Sequence, residues 1–192
     1  MADVYNSYLQ MRDKYFGSDG AAAAEDVLNI VILVHMAAIY MQDRTAYDQL
    51  QKSNNVAGQA IQVDTTTQVL ALIGVILCIL RIASHRFMKE RPMIELLFSL
   101  ITWSIFLIVI IVASQNNTSI NNAISATPNP TPAPNSGLVP QNNVLNLALA
   151  SSTAELNWGI LGFVVTTIYT LLCVFRLIYS PDAGASADAS PQ

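Results

Sequence analysis

His35 is the side chain best placed for chemistry, because it lies in the middle of the apolar stretch Val27–Met41. An ionisable group inside a membrane span is a functional candidate by default, since the bilayer makes such a group costly. An imidazole there suits a proton relay, a pH sensor, or a ligand of a metal or haem. The plainer interpretation is a neutral His35 hydrogen-bonded to a Ser, Thr or backbone carbonyl of a neighbouring helix. The other histidine, His85, lies in a loop, so we expect no metal or other cofactor.

Three charged side chains, those of Arg81, Glu95 and Arg176, fall at the ends of apolar stretches. Arg81 and Arg176 lie in last turns and Glu95 lies in a first turn, where the helix dipole favours each charge. All three are therefore expected at one face of the membrane. They form either an ion-pair cluster that locks the spans together or three separate side chains that reach the lipid headgroups.

The two cysteines, Cys78 and Cys173, both lie inside apolar stretches, and each precedes an arginine by three residues. In a four-span topology the two sites have the same depth, which fits an ancient duplication or paired S-acylation; coincidence among apolar helices is the alternative. Because no other cysteine exists, neither outer loop can carry a disulfide of its own. That excludes the tetraspan families whose outer loops depend on disulfides.

Asn116 and Asn117 head two overlapping glycosylation sequons that end at Thr118 and Ser119. Such sequons are typical of a loop in the lumen or outside the cell. Here they lie close to the end of an apolar stretch, in a region so rich in asparagine that sequons arise by chance. Both asparagines are therefore candidate glycosylation sites, with chance as the alternative.

The chain lacks the sequence motifs of common catalytic sites. It holds no glycine-rich phosphate loop, no HExxH, no GxSxG and no CxxC. It also has no charge pair or helix break in the middle of a span, which a transport pathway usually requires. We therefore predict a protein that is not an enzyme and has no nucleic-acid partner.

The elements that must position these residues are four apolar blocks. The chain is 53% hydrophobic and only 11% charged, whereas soluble proteins average about 25% charged residues. The blocks approach the length that crosses a ~30 Å hydrocarbon core at 1.5 Å per residue. We predict an all-α membrane protein, a four-transmembrane-helix bundle within residues 21–180. The predicted spans are residues 24–42, 66–85, 93–114 and 156–179.

Basic residues are unevenly distributed between the predicted loops. The connection His85–Pro92, together with Arg81 just before it, holds four of the nine Lys and Arg residues, whereas the outer loop 115–155 holds none. Cytoplasmic loops collect Lys and Arg. We therefore predict that this connection and both chain termini lie on the cytosolic side.

Polar segments flank the spans. The N-terminal tail, residues 1–20, carries a predicted amphipathic helix over Val4–Phe16. Residues 42–64 either continue the first helix for a few turns or fold over the surface. Residues 115–155 form a Pro/Asn-rich outer loop, with an extended stretch over Ser125–Gly137 and a helical lead-in to the last span. Residues 181–192 are a predicted flexible tail.

These features favour a non-enzymatic tetraspan structural protein that anchors or organises a larger assembly at a lipid bilayer. Its expected partners are the bilayer and other membrane or shell proteins, and homo-oligomers fit the same scheme. One version is a virion membrane or minor capsid component that ties an internal membrane to a protein shell. The alternative is a small channel, carrier or accessory subunit of a cellular membrane complex, with His35 as its mid-membrane polar site.

Overall fold

The structure, a computed structural model, describes residues 7, 10, 17–57, 65–84, 92–126 and 141–179. Within these residues the chain is helical and has no strand. The four long helices are α1, Gly17–Ala57, α2, Thr66–Ala83, α3, Pro92–Ala126, and α4, Gln141–Tyr179. All four are long and apolar enough to cross a membrane. The predicted all-α class and the four candidate spans are confirmed.

The helices pack in a ring, in the order in which they occur along the chain. Each helix packs on the next, and α4 packs on α1 to close the ring. One end of this bundle joins the start of α2 to α1, through a hydrogen bond between Thr67 and Asp43. The other end joins the last turn of α2 to the first turn of α3, through Arg81 and Glu95. We call the first the extended end, because three helices continue beyond it, and the second the Arg81 end.

Buried residues in each helix recur at alternating intervals of three and four. In α4 this pattern runs without a break from Leu145 to Cys173, and in α1 it runs from Asn29 to Leu50. A spacing that averages 3.5 residues keeps one seam of each helix turned inward in a left-handed bundle with coiled-coil packing. The buried positions of α4 are Leu145, Ala148, Ser152, Glu155, Gly159, Gly162, Thr166, Tyr169 and Cys173.

The middle of the seam is an apolar core that includes Ile32, Met36, Phe106 and Val109. Large apolar side chains also cover the outside of the same region, as on the lipid-facing surface of a membrane protein. Exposed examples from the four helices are Val34, Ile76, Ile108 and Val164.

Three helices extend beyond the predicted spans at the extended end. α1 continues to Ala57, α3 continues to Ala126, and α4 begins at Gln141. The extension of α1 settles the open alternative for residues 42–64 as far as Ala57. Only the segment 127–140 of the predicted outer loop 115–155 falls outside these helices. The polar residues that suggested a loop cover the outer surface of these helices. The buried seam of each helix continues beneath them.

The exposed surface of α1, α3 and α4 changes from apolar to polar toward the extended end of each helix. On α1 the last exposed large apolar residue is Met41, and exposed Arg44 follows. On α3 the change falls between Ile111 and Ser114, and on α4 between Ile160 and Asn157. These positions mark, on each helix, the edge of the apolar outer surface.

Beyond this edge, α1, α3 and α4 form a three-helix projection, which we call the stalk: residues 44–57, 114–126 and 141–157. At 1.5 Å per residue it is about 20 Å tall. It has an apolar core of its own, formed by Leu50, Ile120, Leu145 and Ala148. Among the described side chains of the stalk, Leu147 is the only large hydrophobic one that is exposed. The described surface of the stalk therefore resembles that of a soluble helix bundle.

Several predicted features lie outside the described residues. They include the basic connection 85–91, the proline-rich residues 127–140 and the tail 181–192. Of the predicted N-terminal helix Val4–Phe16, only Ser7 and Gln10 are described, and both are helical and exposed.

Replacing Gly162 by alanine is expected to destabilise the bundle by about 1–3 kcal/mol, because the new methyl group overlaps the buried ring of Phe106. The matched control is Gly159→Ala, where the nearest atom, Ile110 Cγ1, lies 3.3 Å from the added carbon. Thermal unfolding of both variants in detergent measures the difference. Equal melting temperatures for the two variants would show that the packing of α3 on α4 is wrong.

Candidate functional site

A buried cluster of charged and aromatic groups lies at the Arg81 end. Arg81 Nη2 is 3.6 Å from Glu95 Oε1. The hydroxyl of Tyr169 donates to the same carboxylate oxygen, and the Arg81 guanidinium lies 4.1 Å from the centre of the Tyr169 ring. Arg81 and Glu95 are each only 4% exposed. These three residues, the Arg81 cluster, join α2, α3 and α4.

The Arg81 cluster differs from the expectation of three side chains that separately reach the headgroups. Arg81 and Glu95 instead occupy seam positions and face each other inside the bundle. The side chain of Arg176 lies outside the described part of the structure, so its membership stays a prediction. Sequence reasoning missed Tyr169, although it lies four residues before Cys173 on the inward seam of α4.

A second buried polar group lies at the extended end, level with the first turn of α2. Asp43 and Glu155 are 2% and 0% exposed. The hydroxyl of Thr67 donates to Asp43 Oδ1 at 2.8 Å and is also a neighbour of Glu155. Ser152, one turn before Glu155 on the same seam of α4, is 1% exposed. We call these four residues the carboxyl layer; it lies at the base of the stalk.

The carboxyl layer was not predicted from the sequence. Asp43 falls in the polar segment 42–64 and Glu155 in the predicted outer loop 115–155, and 112 positions separate them in the chain. The signal that points to them is the three-and-four spacing. Asp43 lies in line with Ile39 and Ala46, and Glu155 lies in line with Gly159, so both are predicted to face inward once the helices are extended.

His35 lies part-way into the core, in contact with one aromatic residue and with its own helix. Its Nδ1 is 2.7 Å from the carbonyl oxygen of Val31. Its ring meets Trp158 edge to face, with ring centres 5.2 Å apart. The plainer interpretation placed the hydrogen-bond partner of His35 on a neighbouring helix. The carbonyl instead belongs to α1 itself. The functional alternatives for His35 stay predictions.

The candidate modification sites lie in packed surroundings. Cys78 and Cys173 both lie in the apolar core and neither forms a disulfide, whereas an acyl chain would lie on the lipid-facing side. Asn116 is buried in α3, and Asn117 beside it is half-buried in the same helix. S-acylation and glycosylation of these residues stay predictions.

Smaller polar contacts join α3 to α4 between the two buried layers. Trp103 Nε1 donates to Thr167 Oγ1 at 2.9 Å, and the hydroxyls of Ser99 and Thr170 share a hydrogen bond. Thr102 and Thr166, by contrast, donate to carbonyls of their own helices. Interhelical hydrogen bonds of this kind contribute about 0.6 kcal/mol each within membranes.

The chemistry available at the two layers differs. The Arg81 cluster balances a positive against a negative charge, so it serves as a structural tie. The carboxyl layer gathers two acidic groups and two hydroxyls, which makes it a set of oxygen donors. Among the described residues no group of three His, Cys, Asp or Glu side chains is placed to hold a metal ion.

Comparison with known proteins finds nothing similar: no protein family, no curated sequence and no solved structure matches the chain. The fold itself defines the class, an all-helical bundle with four helices able to span a membrane. This arrangement is compatible with an integral, multi-pass membrane protein.

Replacing Glu95 by glutamine is expected to destabilise the protein by about 3–5 kcal/mol, because it leaves the buried guanidinium of Arg81 without its counter-charge. The double variant R81M/E95L should recover most of that loss, since it buries apolar groups in place of the pair. Arg44→Met, at an exposed position, is the control. Thermal unfolding in detergent measures all three, and a double variant as unstable as E95Q would contradict the pairing.

Replacing His35 by phenylalanine is expected to change stability by no more than about 1 kcal/mol, because the edge-to-face contact with Trp158 is retained and one local hydrogen bond is lost. Trp158→Ala, which empties the contact, should cost about 3–5 kcal/mol. The same variants reconstituted in liposomes test the carrier alternative. A proton flux in the parent protein that disappears in H35F would show that His35 has a transport role.

Proposed function

We propose that the protein is a non-enzymatic membrane anchor that presents the stalk to partner proteins of a larger assembly. The observation that carries the proposal is the second apolar core, Leu50, Ile120, Leu145 and Ala148, on the polar side of the membrane edge. A protein that only had to cross the bilayer would need no packed structure there. A rigid projection about 20 Å tall gives partners a surface of defined shape.

The surface of the stalk supports contact with protein. Its exposed positions are mostly uncharged and polar, such as Thr118, Ser119, Asn121 and Asn146. Leu147, 55% exposed, is an apolar residue among them. The proline-rich residues 127–140 connect the far ends of α3 and α4, so the tip of the stalk carries the segment that we expect to reach partners.

The membrane part supports an anchoring role. Its inward seam is filled by apolar side chains in the middle and by the Arg81 cluster and the carboxyl layer near its two ends. These contacts tie every neighbouring pair of helices, which suits a rigid support. The virion version, in which the stalk meets a protein shell, and a cellular membrane complex remain two forms of this proposal.

We further propose that the Arg81 end faces the cytosol and that the stalk lies on the opposite side. Four of the nine basic residues lie at or next to the Arg81 end: Arg81, Arg86, Lys89 and Arg91. The stalk includes only Arg44 and Lys52. This distribution follows the rule that basic residues stay on the cytosolic side.

Replacing Ile120 by aspartate tests the role of the stalk, because it places a charge in the stalk core and leaves the membrane core unchanged. In native membranes, we expect the parent protein to migrate in a complex much larger than one chain. The I120D variant should resist extraction by alkaline carbonate, as a membrane protein does, and yet migrate as the free chain.

The control is Ser119→Asp, which adds the same charge at the neighbouring exposed position. It should leave the complex intact. Native gel electrophoresis and chemical cross-linking measure the size of the complex. A parent protein that is a free monomer in its membrane, or an I120D variant that stays in the complex, would refute the proposal.

A further inference from the structure

The carboxyl layer holds an acidic side chain, Glu155, that has no basic partner among the described side chains. Glu155 is completely buried, and neither of its carboxylate oxygens has a hydrogen bond of normal geometry. Its acidic neighbour, Asp43, acts on it with the same sign of charge. Of the basic side chains described, Arg44 is exposed, and Arg81 is paired with Glu95 at the opposite end.

Such an arrangement needs a positive charge from elsewhere. Burying a carboxylate without a counter-charge is strongly unfavourable, and a second acidic group beside it adds repulsion. At the Arg81 end, the buried carboxylate of Glu95 has its counter-charge within the chain, in the guanidinium of Arg81. Among the described side chains none plays this part for Glu155, and a bound cation or a proton would do so.

Ser152 is a second buried polar side chain of the carboxyl layer without a hydrogen-bond partner among the described residues. It occupies an inward seam position between Ala148 and Glu155 and is 99% buried, and its hydroxyl oxygen has no hydrogen-bond partner within the described structure. Other buried hydroxyls, such as those of Thr102 and Thr166, donate to the carbonyl four residues earlier. The Ser152 hydroxyl makes no such bond and is left facing the bundle axis next to Glu155.

The relative positions of the helices bring these groups together. The contact of His35 with Trp158 pairs α1 with α4 in antiparallel fashion. The shared cluster of Leu50 and Leu145 continues that pairing into the stalk. Counting along both helices between these two points places Asp43 opposite Ser151, next to Ser152 and about one turn from Glu155. Thr67 completes the group from α2.

We propose that Asp43, Thr67, Ser152 and Glu155 form a binding site for a hard divalent cation, Ca²⁺ or Mg²⁺, at the base of the stalk. Hard cations take oxygen ligands, and two carboxylates with two hydroxyls supply roughly the six that such an ion needs. The two carboxylates also balance a charge of +2. The absence of His and Cys from the group, with only two acidic members, disfavours a transition metal.

The bound cation links the membrane bundle to the stalk. Its ligands come from α1, α2 and α4, and Thr67 lies in the first turn of the one helix that does not enter the stalk. Binding therefore holds the start of α2 against the base of the stalk. This inference does not depend on the proposed anchoring function, since it concerns the isolated chain.

The test is thermal unfolding of the full chain in detergent after removal of metal by a chelator. A saturating concentration of Ca²⁺ or Mg²⁺ should raise the melting temperature by about 5 °C or more, and NaCl at equal ionic strength should not. Glu155→Gln should abolish the shift. Asp48→Asn, which removes an exposed acidic residue of α1 close to the site, is the matched control and should keep the shift.

A direct measurement keeps the proposal testable if E155Q fails to fold. Binding of radioactive Ca²⁺ to the folded Ser152→Ala variant should be at least threefold weaker than to the parent chain, because one ligand is lost. Competition by Mg²⁺ in the same assay distinguishes the two ions.

Three results would overturn the proposal. The first is a parent chain whose melting temperature responds to neither Ca²⁺ nor Mg²⁺. The second is an equal response in E155Q and the parent. The third concerns the metal-free parent chain at pH 5. If its melting temperature there rises to that of E155Q at pH 7, the carboxyl layer holds a proton in place of a metal. None of these results alters the size of the complex that tests the anchoring function.

Discussion

The length of α2 is the constraint on which the rest of the structure depends. With 18 residues it is about 27 Å long, barely enough for a ~30 Å hydrocarbon core. Its first turn must therefore lie at one edge of the lipid-facing zone and its last turn at the other. Thr67 and Arg81, which occupy those turns, set the levels of the two buried polar layers. The three longer helices have to continue beyond α2, and they do so at the end where α2 begins.

The two polar layers have different physical consequences. The Arg81 cluster is balanced in charge, and a hydrogen bond and a cation–π contact reinforce it, so it fixes the relative positions of α2, α3 and α4. The carboxyl layer has two acidic members and, among the described side chains, no basic one, and it lies where the membrane bundle becomes the stalk. A ligand at that place acts on both parts at once. With the proposed cation, the stability of this junction would depend on what is bound.

Most of the fold could be predicted from the sequence, because long apolar blocks separated by polar residues have few other solutions in a protein this poor in charge. In the stalk, the α4 part was predicted as a helical lead-in to the last span and the α1 part as one of two alternatives, but the α3 part was not predicted. The helices of the stalk present Asn, Ser, Thr and Gln to the outside and resemble loops in composition. Their buried seam consists of widely spaced residues such as Leu50, Ile120 and Leu145, which are too sparse to mark a helix by hydropathy. Tyr169 was missed for a related reason: an aromatic residue near the end of a span is expected at the lipid interface.

The sequence by itself determined the number and order of the helices able to span a membrane, because both follow from local composition and the thickness of a bilayer. Only the tertiary structure decided which polar residues meet. Asp43 and Glu155 are distant in the chain and separately unremarkable, and the continuous three-and-four spacing of α1 and α4 brings both to the axis of the bundle. Their importance comes from burial next to each other, and burial is a property of packed helices.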